Sequence, residues 1–316
     1  MNRSVSVTLA FLAAPFTATF AQAGTGPTKL AHLTGAVVQG DLPFRGMIAL
    51  AVDATDTDHR IFTIHETIPV QTSGSVKLLY PEWETGSHAP TASVVELAGL
   101  VTSIDDRRQP WHRDPVDVHA FRLDVPPAAK TIDVDFQLLA PHSAALLRPD
   151  MVDVQWHRLL LYPAGWPAND ISVAARLTLP HGLHAFTALP TDRSDGDTIR
   201  FAPVSLETLV DAPVYAARYW RQLDLAPDAT VPVRLDIVAD AAAALAVPVP
   251  ELAKLRALVV QTACCLGRVP IAITTRSSRS ATSCRQAAGS SIRRRARTIC
   301  RSPTSPISAI SSAIVT

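Results

Sequence analysis

The residues with the most obvious chemical potential are His65-Glu66-Thr67-Ile68-Pro69, which differ by one residue from the H-E-x-x-H zinc motif. In that motif a helix directs two histidines, four residues apart, at one metal ion. Here Pro69 occupies the place of the second histidine, and the β-branched neighbours favour a strand. On a strand His65 and Glu66 point to opposite faces of the sheet. We therefore predict a strand without a metal site.

The other candidate residues are weaker. His181 and His184 flank a Gly-Leu turn, and we interpret them as part of a solvated loop, with a metal pair as the alternative. Cys264 and Cys265 are adjacent, and no two cysteines have the C-x-x-C spacing of zinc or redox sites. The sequence contains neither a G-x-S-x-G elbow nor a glycine-rich phosphate loop. We therefore assign no catalytic, cofactor-binding or metal-ligating residue. The other histidines are scattered among predicted strands and loops, and they include His88, His112, His119 and His157.

The elements that would position these residues are mostly short strands. Period-two alternation of apolar and polar residues indicates strands with one buried face, and proline and glycine separate them. The clearest segments are 118–123, 132–136, 171–179 and 233–238. The sequence predicts a mainly β protein, in which residues 24–245 form a large antiparallel β-sandwich or saddle.

Two helices are predicted near the C-terminal end of this domain. Ser205 can cap a short helix that continues to Val210. Pro250 can open a longer helix, because proline is favoured at the first helical position. This second helix carries four apolar residues on one face: Leu252, Leu255, Leu258 and Val259.

The N-terminus has the features of an export signal. Arg3 gives a positive start, an apolar run extends from Val5 to Phe20, and Ala21-Gln22-Ala23 has the small-x-small form of a cleavage site. We predict a signal peptide over residues 1–23 and a periplasmic or secreted protein. The apolar run is too short, and too interrupted by proline, for a stable membrane span.

The composition changes abruptly after Ala263. Residues 264–316 hold all four cysteines and nine arginines, but no acid, lysine or aromatic residue. Since the whole chain carries +1, the preceding residues carry −8. We predict a disordered tail, because such a segment buries too little apolar surface to fold. Without interleaved aromatic residues it does not indicate nucleic-acid binding.

Four segments together resemble the glycyl-aminopeptidase family of zinc peptidases, and the resemblance extends from Leu30 to Ala263. It implies a β-rich domain that packs against a catalytic domain. In the intact family two histidines and a glutamate hold zinc, and this chain lacks that motif. The matching segments are LYPEWETGSHAPTASVVELAGLV at 79–101, PWHRDPVDVHAFRLDV at 110–125, LLLYPAGWPANDISVAARLTL at 159–179 and PVSLETLVDAPVYAARY at 203–219.

The resemblance also suggests an origin for the tail. Residues 246–263 then form a linker and the first helix of a truncated catalytic domain, and residues 264–316 are translated out of frame. With suitable codons, residues 288–293 reread in a shifted frame give Gly-Ile-Glu-His-Gln, which is similar to the family's next segment.

The sequence thus predicts the N-terminal fragment of an exported zinc aminopeptidase that is inactive as this chain and holds no cofactor. The parent activity would be metal-dependent peptide hydrolysis near a free N-terminus, with a preference for small residues such as Gly and Ala. Its partners would be a peptide substrate or the missing catalytic domain, not nucleic acid. The alternative is a secreted β-sandwich binding module without catalysis. The DNA downstream of codon 316 distinguishes the two, since only the first requires an overlapping H-E-x-x-H frame.

Overall fold

Alternating short segments of the sequence become strands with one buried face. In the segment Ile61–Pro69, Phe62, Ile64 and Ile68 are buried, whereas the residues between them face outward. The computed structural model describes residues 43–83, 89–140, 147–227, 229, 232–266 and 312–315. The predicted signal peptide, residues 1–23, lies outside these described residues.

The strands of the first half are short and follow one another closely. They are β1 (Ile48–Asp56), β2 (Ile61–Pro69), β3 (Gly74–Leu79), β4 (Leu97–Ile104), β5 (Arg107–Gln109), β6 (Trp111–Arg113), β7 (Ala120–Val125), β8 (Thr131–Leu139), β9 (Leu147–Arg148) and β10 (Met151–Val154).

The second half contains the remaining strands and both α-helices. The strands are β11 (Tyr162–Pro163), β12 (Ser172–Thr178), β13 (His184–Phe186), β14 (Thr191–Asp195), β15 (Thr198–Phe201), β16 (Val204–Ser205), β17 (Val214–Ala217), β18 (Tyr219–Asp224), β19 (Arg234–Ala239) and β20 (Ser312–Val315). The helices are α1 (Leu206–Val210) and α2 (Val249–Leu266), and short 3-10 turns occupy Val94–Glu96, Trp156–Arg158 and Ala242–Leu245.

These strands form four sheets within the described part of the chain. The largest has nine strands in the order β14-β15-β12-β1-β2-β8-β4-β5, with β16 also paired to β12. Two sheets of four strands have the orders β13-β17-β10-β9 and β11-β3-β7-β6, and β18-β19-β20 form the fourth. The prediction of a mainly β fold is confirmed.

The largest sheet differs from the predicted antiparallel domain at one strand pair. β1 and β12 run parallel, from Ile48 opposite Val173 to Asp53 opposite Thr178. Every other pair among the described strands is antiparallel. The pattern of buried residues could not reveal this, because alternation marks the face of a strand but not its direction.

One hydrophobic core joins the inner face of the largest sheet to the two four-stranded sheets, which makes the domain a sandwich. Trp156 lies fully buried in this core, and its ring packs edge-on against Phe201 at 5.7 Å between centroids. The indole Nε1 donates a hydrogen bond to the Ala212 carbonyl at 3.0 Å, so the buried N–H is satisfied.

The first helix forms as its sequence predicts. α1 begins after Ser205, whose Oγ accepts a hydrogen bond from the Thr208 amide at 3.1 Å. This bond satisfies one of the amides that a helix leaves open at its start. Leu206 and Leu209 are buried, so α1 packs on the core through one face.

The second helix, α2, packs on the sheet of β18 and β19. Leu252, Leu255 and Val259 contact a small core that includes Leu235 and Ile237. The remaining predicted face residue, Leu258, is 59% exposed. The body of the protein therefore covers most of the apolar face of α2. None of the described helices is long and apolar enough to cross a membrane.

The predicted disordered tail falls almost entirely outside the described residues. The helix α2 continues to Leu266, past the change in composition. Further on, Ser312–Val315 form β20, which pairs with Leu235–Val238 of β19. The structure differs from the prediction at these few residues, because β19 offers an open edge with which an extended segment can pair.

Candidate functional site

The His65-Glu66 pair lies on β2, and the strand prediction is confirmed. His65 points outward, and its Nδ1 lies 2.7 Å from Oδ1 of Asp135. Glu66 points into the core and is fully buried. The two side chains therefore face opposite sides of the sheet and cannot ligate one metal ion.

Glu66 is a carboxyl group enclosed by the core. Both of its oxygens accept a hydrogen bond from the backbone N–H of Leu161, at 3.1 and 3.0 Å. Burial raises the pKa of Glu66 well above its ordinary value of 4.5, and the Leu161 hydrogen bond only partly opposes this effect. The buried side chain has no direct path to a substrate, so its protonation affects stability rather than chemistry.

The His181 and His184 side chains go to different surroundings. His181 is 95% exposed, and its Nδ1 lies 3.0 Å from Oδ2 of Asp197, in agreement with a solvated loop. His184 begins β13 and stacks on Trp220, with ring centroids 4.5 Å apart. Between them Gly182 has a φ of +79°, which favours glycine and turns the chain. The alternative of a metal pair has no geometric support here.

One of the scattered histidines, His119, belongs to a cluster that the sequence analysis missed. His119 lies in the loop before β7, together with Asp117, and Glu82 lies in the loop after β3. One ligand atom from each side chain lies within 4.8 Å of the other two. All three residues are partly buried.

Hydrogen bonds determine how the ring of His119 is oriented. Its Nε2 lies 3.0 Å from the Ala92 carbonyl, and because a carbonyl only accepts, Nε2 must carry the proton. In the neutral ring Nδ1 then carries a lone pair, and it lies 4.0 Å from Oε1 of Glu82. The backbone N–H of His119 donates to Oδ1 of Asp117 at 2.8 Å. One imidazole nitrogen and two carboxylates could thus face a divalent cation.

The negative charge of this cluster affects the neighbouring phenol of Tyr162. Burial raises the pKa of Tyr162, and the negative charges of Glu82 and Asp117 raise it further. The register of β3 and β7 brings the two loops together, with Leu79 opposite Ala120. Such a pairing between residues about forty positions apart leaves no signal in the local sequence pattern.

A second titratable group lies on the sheet of β10 and β17. Asp153 is opposite Tyr215, and its Oδ1 accepts a hydrogen bond from Nε2 of Gln155 at 2.7 Å. Burial raises the pKa of Asp153 to about 6, although the Gln155 hydrogen bond opposes it. The pKa of Tyr215 is raised mainly by its own burial and then by the charge of Asp153. A lone aspartate on a strand gave no sequence signal.

The sequence comparison identifies the family. Residues 49–218 match the model of the Peptidase M61 N-terminal domain. The chain belongs to this family. The match covers every strand of the two four-stranded sheets and of the largest sheet, apart from Ile48 at the start of β1. No curated protein matches the chain in sequence.

Several solved structures are similar to this M61 N-terminal domain. An aminopeptidase N family protein from Idiomarina loihiensis is 18% identical over 56% of this chain and 30% of its own, with a TM-score of 0.49. An M1 zinc metallopeptidase from Deinococcus radiodurans is 14% identical over 70% of this chain and 54% of its own, with a TM-score of 0.40. Yeast LTA4 hydrolase is 11% identical over 58% and 30%, with a TM-score of 0.37. The chain spans about a third to a half of the length of these proteins.

The described residues of the M61 N-terminal domain do not fit the catalytic zinc site that its family resemblance implies. Such a site needs two histidines and a glutamate directed at one ion from a helix and its surroundings. The described helices α1 and α2 carry no histidine. The cluster of Glu82, Asp117 and His119 supplies one histidine and two carboxylates from loops, which is a different ligand set.

Proposed function

We propose that this chain is the N-terminal part of an exported zinc aminopeptidase and does not itself hydrolyse peptides. The parent enzyme would cleave near a free N-terminus and prefer small residues such as Gly and Ala. The observation that carries the proposal is the match of residues 49–218 to the Peptidase M61 N-terminal domain. The preference for small residues rests on the resemblance to glycyl aminopeptidases alone.

The proposed organisation assigns residues 1–23 to a signal peptide and residues 24–245 to the β-rich domain. Residues 246–263 would be a linker and the first helix of a catalytic domain, and residues 264–316 an out-of-frame tail. The packing of α2 is consistent with this proposal. Its inner face contacts the body, but Val249 and Leu258 are 79% and 59% exposed, a surface that a following domain would cover.

A second exposed apolar surface supports a missing catalytic neighbour. The loop residues 81–83 and 89–96 lie beside residues 114–119. Nε2 of His119 lies 3.0 Å from the Ala92 carbonyl, and the Tyr80 amide donates a hydrogen bond to the His119 carbonyl at 2.8 Å. We call the exposed surface of these loop residues the loop face. It carries four large apolar side chains that are 53% to 81% exposed: Trp83, Val95, Val116 and Val118.

The loop face would pack against the catalytic domain. Large apolar side chains grouped on one surface are typical of a contact with another domain or protein. The neighbouring domain would therefore present an apolar surface, bordered by basic or hydrogen-bond-donating groups that can pair with Glu82 and Asp117.

Restoring the reading frame tests the proposed function directly. Resequencing the DNA around codons 258–270 locates the change of frame. Shifting the frame near Cys264, with the downstream DNA included, should then yield a longer protein containing H-E-x-x-H. That protein should bind one zinc ion and hydrolyse glycyl and alanyl amides in a chelator-sensitive way. The present chain should do neither of these under the same conditions.

The matched control is the restored protein with the glutamate of H-E-x-x-H replaced by alanine, which should keep zinc but lose activity. If the restored protein neither binds zinc nor gains activity, the proposal fails. Stops or random codons in every downstream frame would also reject it, and would favour a secreted β-sandwich binding module.

Export is tested separately. The periplasmic or secreted product should begin at Gly24, which N-terminal sequencing can determine. An intact Met1 on a cytoplasmic product would contradict the proposed signal peptide without affecting the assignment of the domain.

The loop face is tested by Trp83→Ser in both proteins. In the restored protein this change should lower the melting temperature, because it removes an apolar contact between domains. In the present chain it should have little effect, since Trp83 is 62% exposed. Leu139→Ser, at an exposed position on the largest sheet outside the loop face, is the control and should affect both proteins equally. Equal effects of Trp83→Ser in the two proteins would rule out the loop face as the contact.

A further inference from the structure

A row of cross-strand partners on the outward face of the largest sheet separates acidic from basic residues. Along it, the acid lies at one end, next to a histidine, and three arginines lie at the other. In order from β8 to β14 the partners are Asp135, His65, Ala51, Arg176, Arg200 and Arg193.

Two of the three arginines in the row directly oppose each other. Arg176 on β12 pairs with Arg200 on β15, and both are exposed. Like charges in directly opposite positions of an antiparallel pair repel and destabilise it. Neither residue forms an ion pair or a side-chain hydrogen bond with any described residue. By contrast Arg193, the next residue in the row, has a carboxylate of Asp195 at 3.7 Å.

A cavity of about 360 Å³ lies beside this arginine pair. Ala49, Ala51 and Ala174 contribute small side chains to its lining. Residues with longer side chains surround these alanines, with His65 on β2 at one side and the two arginines at the other. The alanines therefore create a depression on a sheet face that is otherwise covered by longer side chains.

The charge in the cavity is positive overall. Its lining residues include Arg176, Arg200 and a single acidic residue, Asp192. Asp192 lies where the pairing of β14 with β15 shifts register, between Thr191 and Arg193. Such a bulge redirects a side chain. One carboxylate cannot neutralise two guanidinium groups, so the residues around the cavity carry a net positive charge.

We propose that this cavity binds a small organic anion whose carboxylate or phosphate group lies between the guanidinium groups of Arg176 and Arg200. The planar donors of arginine match the oxygens of both groups and bind them with charge-assisted hydrogen bonds. The volume is in the range of small-molecule sites, and the alanine methyls offer an apolar surface for the carbon part of the ligand. A bound anion would also relieve the repulsion within the pair.

Calorimetric titration of the purified chain tests this site. Succinate and inorganic phosphate serve as probes in a low-salt buffer, with chloride held constant. The wild type should bind at least one of them, and the stronger of the two indicates whether the natural group is a carboxylate or a phosphate. Arg176→Gln and Arg200→Gln should each weaken binding about tenfold or more, because each removes one charge-assisted contact.

Two controls separate a built site from general attraction of anions. Arg193→Gln removes the same charge from the same row outside the cavity, and it should change the affinity less than about twofold, since Arg193 does not line the cavity and would make no direct contact with the anion. Ala51→Leu changes no charge but fills the depression, and it should abolish binding of succinate.

Folding is monitored by the melting temperature, which should not fall in Arg176→Gln or Arg200→Gln because each relieves a repulsion. Absence of binding to the wild type would overturn the proposal. So would equal losses in all three arginine variants, or normal binding in Ala51→Leu, since either outcome indicates an adventitious ion only.

Discussion

The two faces of the largest sheet carry different kinds of side chain. The inner face buries Phe62, Ile64 and Phe136 in the main core, whereas the outer face carries His65, Asp135 and Arg176. Residues that are adjacent in the sequence therefore lie in different environments, one in the core and the next in solvent. His65 and Glu66 resemble one chemical unit when read as a pair of letters, but the sheet separates their side chains.

The acids on the two faces illustrate the difference. Glu66 lies on the inner face and accepts a hydrogen bond from the Leu161 backbone amide, and its pKa is raised because the core excludes water. On the outer face Asp133 accepts a hydrogen bond from Thr67 Oγ1 at 2.8 Å, and Asp135 lies beside His65. The inner face thus determines stability, and the outer face is available for binding.

The largest expected contrast comes from two adjacent leucines on β8. Leu138 is 1% exposed on the inner face, and Leu139 is 45% exposed on the outer face. Leu138→Ala should lower the free energy of unfolding by about 2–5 kcal/mol, because it leaves a cavity in the core. Leu139→Ala should change it by less than about 0.5 kcal/mol. Denaturant titration measures both, and similar losses would mean that the two faces are not distinct.

Alternation made the inner face predictable from sequence. The strand at 132–136 and the cap at Ser205 follow from local patterns, and the structure places both as expected. Proline and glycine likewise marked the ends of many segments. These features depend on residues within a few positions of one another, where periodicity and capping rules apply.

The sites on the outer surfaces could not be predicted in this way. Arg176 meets Arg200, and His119 meets Glu82, only after strands have paired in a particular register. The parallel pairing of β1 with β12 also follows from the path of the chain between them. A single sequence records which face a residue occupies, but not which residue lies beside it on the next strand.

The next contrast concerns the buried acid, and it depends on pH. The pKa of Glu66 in the folded protein is raised above its unfolded value, so the protonated form is the one that folding favours. The contribution of protonated Glu66 to the free energy of unfolding is fully present below the pKa of the unfolded state, and it is lost as the pH rises through the pKa of the folded state. Glu66→Gln keeps an oxygen for the Leu161 amide but cannot ionise.

The variant Glu66→Gln should therefore be more stable than the wild type at pH 8, and this advantage should shrink or vanish at pH 4. Denaturant titrations of both proteins across this range measure the difference. A constant difference in stability between the two proteins at all pH values would show that Glu66 does not titrate differently in the fold.

A smaller effect of opposite sign is expected from the arginine pair on the outer face. Arg200→Gln should raise the free energy of unfolding by about 0.2–1 kcal/mol in low salt, because it removes a like charge opposite Arg176. Salt should reduce this gain, since mobile ions screen exposed charges. A loss of stability that salt leaves unchanged would show that Arg200 packs as part of the structure, and the outer face would then resemble the inner one.

An effect no larger than that of the arginine pair is expected at the His65–Asp135 pair. Their side chains are 49% and 54% exposed, although their nearest atoms are only 2.7 Å apart. Water and salt weaken such pairs, so a double-mutant cycle with His65→Ala and Asp135→Ala should give a coupling of about 0.2–1 kcal/mol. Because no third ligand from the described residues joins His65 and Asp135, added zinc should not change this coupling. A coupling of several kcal/mol, or one that zinc increases, would mean that this part of the outer face is a specific site rather than a solvated surface.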